Sequence, residues 1–129
     1  MIKKTITYEN YDGEQITEDF YFNLTKAELL ELEIEHEGSM TRYIEKIIGS
    51  KNQVKLMELF KEIIHKSYGV KTPDGRRFIK NDEVLAEFKQ TVAYSDLYVK
   101  LSTDADEASA FVKGIMPKDV LEAGLASAT

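Results

Sequence analysis

His36 and His65 are the two side chains whose ordinary pKa lies near neutrality, which makes them the first candidates for acid–base work or metal ligation. His36 stands with Glu33 and Glu37 at a helix end, a set of metal-ligand types, but a cation near the negative end of a helix dipole accounts for it equally well. His65 falls among Lys61, Glu62 and Lys66 on the polar side of a helix, where solvent explains it. The carboxylates are abundant, and Glu28, Glu31, Glu33, Glu35 and Glu37 read as one solvated helix surface. Asp104 and Asp106 read as N-terminal helix acids. No phosphate-cradling glycine loop, nucleophile elbow or dinucleotide fingerprint occurs in the sequence. We therefore assign no catalytic, cofactor-binding or metal residue.

The basic cluster Lys71, Arg76, Arg77 and Lys80, with Phe78 inside it, could contact phosphate and stack a base. The chain carries a formal net charge of -6, which works against general affinity for nucleic acid or an anionic membrane. An acidic protein patch is the better counterpart for that loop. There is no cysteine, which excludes disulfides and thiolate metal sites and favours the cytoplasm. No apolar run approaches the roughly 20 residues of a membrane span, and Met1 to Lys4 does not open a signal core.

The elements that would carry these side chains read as α+β, an N-terminal β-hairpin packed on a bundle of five to six short helices. Ile2, Lys4, Ile6 and Tyr8 alternate with Lys3, Thr5, Thr7 and Glu9, and Ile16, Phe20 and Phe22 alternate on the returning arm. Asn10 to Glu14 is the turn, with Asp12-Gly13 supplying positive φ. Thr25 and Glu28 form a capping box before a helix along Ala27, Leu30 and Ile34, with Leu29 and Leu32 beside them. A second helix carries Met40, Tyr43, Ile44, Ile47 and Ile48 and closes at Gly49. A third opens on a Ser50/Gln53 box, lines one face with Val54, Met57, Phe60, Ile64 and Tyr68, and stops at Gly69. Thr72-Pro73-Asp74-Gly75 turns into Phe78-Ile79. Asn81 or Asp82 caps a fourth helix, a break near Ala93 to Ser95 precedes Tyr94, Leu97, Tyr98 and Leu101, and Thr103 with Asp106 opens a last helix. We expect one domain over 1–117 and a loose tail over 118–129.

Two strands alone are marginal in water, so the hairpin must lie on the helices or pair an edge with another chain. Candidate protein-binding residues are accordingly Ile6, Tyr8, Phe20 and Phe22 on the hairpin, Arg76 and Arg77 on the basic loop, and Tyr94 and Tyr98 on an aromatic helical face.

Two stretches carry a family resemblance. One runs Lys3-Lys4-Thr5-Ile6-Thr7-Tyr8, Asp12-Gly13 and Asp19-Phe20-Tyr21-Phe22-Asn23-Leu24-Thr25-Lys26-Ala27-Glu28. The other runs from Asp74-Gly75-Arg76-Arg77-Phe78-Ile79-Lys80 through Phe88, Thr91, Ala93-Tyr94-Ser95, Leu97 and Phe111 to Ile115-Met116-Pro117. Together they resemble tail assembly chaperones of siphovirus-type tailed bacteriophages of Gram-positive bacteria. The resemblance implies a non-enzymatic factor in the host bacterial cytoplasm, absent from the mature virion. Such a factor coats the tape measure protein, helps recruit tail tube protein, and could work as a homo-oligomer. It also implies a longer frameshifted product, for which the segment after Pro117 is a natural junction. The competing readings are a structural virion component, such as a head-tail connector or tail terminator, and a small host-directed inhibitor protein.

Overall fold

A computed structural model of the chain describes residues 1–36 and 38–117; the expected tail over 118–129 lies outside them, as does Glu37. Strands β1 (Ile2–Glu9) and β2 (Gln15–Phe22) form the expected hairpin. Ile2 stands opposite Phe22, Lys4 opposite Phe20, Ile6 opposite Glu18 and Tyr8 opposite Ile16. Because opposed residues share a face, these eight line the side that meets the helices. Lys3, Thr5, Thr7 and Glu9 face solvent. Asn10 organises the turn: its Oδ1 accepts from the N–H groups of Asp12 at 3.0 Å and Glu14 at 2.9 Å. Only Gly13 of the Asp12-Gly13 pair takes positive φ, at 81°.

The capping box opens α1 (Lys26–His36) as expected, with Thr25 N–H donating to Glu28 Oε1 at 2.9 Å and Glu28 N–H to Thr25 Oγ1 at 3.2 Å. The helix turns its other face inward, however. Leu29 and Leu32 are buried, whereas Leu30 is 60% and Ile34 77% exposed. Helix α2 (Met40–Ser50) buries Met40, Ile44 and Ile47. It closes at Lys51 in the left-handed region, φ 55°, so Gly49 lies within the helix. Helix α3 (Gln53–Ser67) is capped by Asn52, whose Oδ1 accepts from Lys55 N–H at 3.2 Å. Gln53 is consequently free to donate to the Ser102 carbonyl at 2.8 Å and takes no part in a box with Ser50. Leu59, Phe60, Ile63 and Ile64 are its core face, and Val54 and Met57 are exposed.

Gly69 does not stop α3, which ends at Ser67 and passes directly into β3 (Tyr68–Lys71). This strand pairs with the end of β2, Tyr21 against Gly69 and Phe22 against Tyr68, and β4 (Phe78–Ile79) follows it as an antiparallel partner. The result is a four-stranded sheet of order β1-β2-β3-β4, a larger sheet than the hairpin alone. Helices α4 (Asp82–Lys89), α5 (Val92–Thr103) and α6 (Ala105–Ile115) complete the chain, capped by Asn81, Thr91 and Asp104. The break before α5 thus falls at Gln90-Thr91, ahead of Ala93, and Asp104 replaces Thr103 as the last cap.

The core joins the sheet's inner face to the helices. Phe22, Phe60, Phe88 and Phe111 are fully buried. Tyr68 stacks on Phe88 with centroids 4.1 Å apart, and Phe22 meets Phe111 edge-on at 5.1 Å. The fold is α+β, with the sheet on a layer of six helices among the described residues.

Candidate protein-binding surfaces

On α1 the buried residues Leu29 and Leu32 are continued one turn later by half-buried His36, a spacing of three and four residues that marks one helix face. Ala27, Leu30 and Ile34 repeat the same spacing on the opposite side, and all three are exposed. The helix is therefore apolar on two faces and buries one. Tyr43 on α2 and Val54 and Met57 on α3 are also exposed. Between α2 and α3 runs an open groove lined by Tyr43, Ile47 and Leu59 with Lys46, Lys55, Glu58 and Glu62 around them. An apolar floor with charges of both signs at its rim suits an amphipathic peptide segment.

His36 contacts both helices that line this groove. Its ring stacks on Tyr43 at 5.1 Å, and Nε2 lies 2.9 Å from Glu62 Oε1. Its partners are thus Tyr43 and Glu62, contributed by the two following helices. Glu35, His36 and Glu62 place ligand-type atoms within 4.8 Å of one another. The hydrogen-bond contact with Glu62 and the stack on Tyr43 fix the imidazole between the two helices. His65 is not simply solvated: Nε2 meets Tyr94 Oη at 2.8 Å. Burial, helped by Lys89 and Lys61, lowers its pKa.

The basic cluster is smaller than its sequence. Lys80 turns inward, with Nζ donating to the carbonyls of Asn23 at 2.6 Å and Lys66 at 2.8 Å and to Glu28 Oε2 at 2.8 Å. Burial alone would raise the Glu28 carboxyl, but Lys80 and the Thr25 N–H hold it below the ordinary range. Burial likewise lowers the Lys80 ammonium, an effect that Glu28 only partly offsets. Arg76 and Arg77 remain exposed with Lys71. Their loop is shaped from within, Arg77 N–H donating to Thr72 Oγ1 at 3.1 Å and Arg76 N–H to Asp74 Oδ1 at 3.0 Å.

The hairpin candidates divide. Tyr8, Phe20 and Phe22 are core residues, 7%, 7% and 0% exposed, which places them beneath the surface. The Tyr8 hydroxyl donates to Glu18, and that bond together with burial pushes its pKa up to about 12. Ile6 is half-buried near the outer edge of the sheet. Tyr94 and Tyr98 are also half-buried, Tyr94 held by His65 and Tyr98 donating from Oη to the Met57 carbonyl at 2.9 Å. Leu30, Ile34 and Met57 lie on helix faces that periodicity marks as apolar, yet they are exposed; only the duplicate spacing on α1 signals that one of its stripes is surplus.

A family model described as phage tail assembly chaperone matches residues 1–127. Neither the curated proteins nor the solved structures provide a match. The matched span takes in every described element, from β1 through α6. The chain belongs to the phage tail assembly chaperone family.

Proposed function

We propose that this chain is a non-enzymatic assembly factor of a siphovirus-type phage of Gram-positive bacteria. It binds the tape measure protein in the host cytoplasm, helps recruit tail tube subunits around it, and leaves before the virion is complete. The observation that carries this reading is the family match over 1–127, joined to a helix α1 that is apolar on two opposite faces. A long helical client that must stay dispersed until the tube forms needs temporary cover for its apolar face. Exposed Leu30 and Ile34, with the α2–α3 groove, offer that cover through contacts weak enough to be exchanged for tube subunits. Arg76 and Arg77 add a basic contact for an acidic client patch.

The reading is tested by co-expressing the full chain with the tape measure protein of the same phage and by mass spectrometry of purified particles. A soluble complex, with the chain missing from particles, supports it. A stoichiometric presence in particles would instead make the chain a virion component such as a connector or terminator.

A further inference from the structure

We propose that Glu35 and His36 of α1 and Glu62 of α3 form a binding site for a divalent transition-metal ion of the zinc class, which clamps the end of α1 onto α3. The chain has 23 acidic residues and two histidines. Among the described residues, however, a single group of three such side chains brings its ligand atoms within 4.8 Å of one another, and it is this one. The fold brings Glu62 to His36 from 26 positions away and supplies Glu35 in place of the Glu33 that the sequence sets beside it. Two carboxylates converging on one imidazole concentrate negative charge that a cation neutralises.

The geometry suits ligation. His36 Nε2 and Glu62 Oε1 are 2.9 Å apart. Bonds of about 2.0–2.2 Å to one ion set adjacent donors roughly 3 Å apart, so this pair already has the spacing of two ligands. The imidazole ligates in its neutral form, with the Nε2 lone pair toward the ion and the proton on Nδ1. Its ring is held by the stack on Tyr43, the orienting role that outer-shell partners play at metal centres. Glu35 is exposed and makes no hydrogen bond or ion pair among the described residues, so its carboxylate is free to swing the remaining distance. Helix α1 adds a field of the right sign. Glu35 and His36 occupy its last turn, the negative end of the dipole, and the helix carries four glutamates against one lysine. One nitrogen and two carboxylate oxygens, with water completing the sphere, fit zinc better than calcium or magnesium, which take oxygen ligands. Glu62 also lines the α2–α3 groove, and α1 carries exposed Leu30 and Ile34. An ion held here therefore fixes those two surfaces relative to each other.

The test is calorimetric titration of zinc alone into the untagged full chain, stripped beforehand with a chelator. One ion should bind per chain and raise the thermal midpoint, because a ligand specific to the folded state stabilises it. His36→Gln and Glu62→Gln should each weaken binding at least roughly tenfold, the effect that loss of an outer-shell partner alone commonly has. Glu35→Gln should do the same while leaving the metal-free midpoint unchanged, which separates lost ligation from lost folding. His65→Gln and Glu58→Gln, outside the triad, should bind zinc as the natural chain does. Calcium and magnesium should bind at least roughly tenfold more weakly than zinc. Absence of saturable zinc binding overturns the proposal. Binding that survives His36→Gln, or that calcium matches, overturns it equally, since scattered surface carboxylates then hold the ion. The isolated chain is used throughout, so failure here leaves the client-binding reading standing, and failure of client binding leaves this one.

Discussion

Lys80 Nζ lies 2.8 Å from Glu28 Oε2, and through that contact the β3–β4 hairpin is tied to the first turn of α1. The same ammonium holds the Asn23 and Lys66 carbonyls, so one side chain joins the end of β2, the end of α3 and the start of α1. Removing it would leave a carboxylate and two carbonyls short of a donor. Lys80→Met is expected to cost about 2–4 kcal/mol of unfolding free energy by urea denaturation. Arg76→Met, on the exposed loop nearby, should stay within about 0.5 kcal/mol.

His65 gives a pH signature. Its folded pKa is lowered from the ordinary 6.5, first by burial and then by Lys89 and Lys61, so protonation disfavours the folded state. Above 6.5 the residue is neutral in both states and has no effect. As pH falls below 6.5 the unfolded chain takes up the proton first, and stability declines until the lowered folded pKa is passed. Urea midpoints taken on either side of 6.5 should therefore fall more in the natural chain than in His65→Gln.

Much of this architecture was legible because local chemistry decided it. The hairpin alternation, the Thr25/Glu28 box and the Asn81 cap depend on residues within a few positions of one another. What was not legible depended on distant partners. Both stripes of α1 satisfy helical spacing, and only the position of the neighbouring helices selects Leu29 and Leu32 over Leu30 and Ile34. Lys80 reads as one of four clustered cations until Glu28, Asn23 and Lys66 are brought beside it. Strand β3 was hidden because Tyr68-Gly69 after a helix looks like a helix end. Its strand character comes from pairing with Tyr21 and Phe22, far away in the sequence. Among the candidate binding residues, Arg76 and Arg77 were placed on the surface by turn chemistry alone. Phe20 and Phe22 proved to belong to the core because β2 carries helices on its inner face.

Gly69 is required for close approach, not for backbone freedom. A Cβ there would lie 2.6 Å from the Phe78 ring, in the middle of the β2–β3–β4 contact. Gly69→Ala should cost about 1–3 kcal/mol. At Gly114 a Cβ would meet Ile2 Cδ1 at 2.5 Å and Ile2 Cβ at 2.9 Å, so the start of β1 itself must shift. Gly114→Ala should likewise cost about 1–3 kcal/mol in thermal melts.

The two stripes of α1 separate folding from binding. Leu29→Ala opens the core and should cost about 2–5 kcal/mol. Leu30→Ser and Ile34→Ser alter side chains that are 60% and 77% exposed and should change stability by about 0.5 kcal/mol or less. Equal destabilisation by both sets, measured in urea, would mean that the outer stripe is covered within the chain and is not a docking face.

The most direct test of the whole account is quantitative co-purification of the tape measure protein with the natural full chain and with a Leu30→Ser/Ile34→Ser variant of unchanged stability. The account predicts a soluble complex with the natural chain and loss of most of it with the variant. Undiminished capture by the variant would contradict a client face on α1, and no capture by either would contradict the client itself.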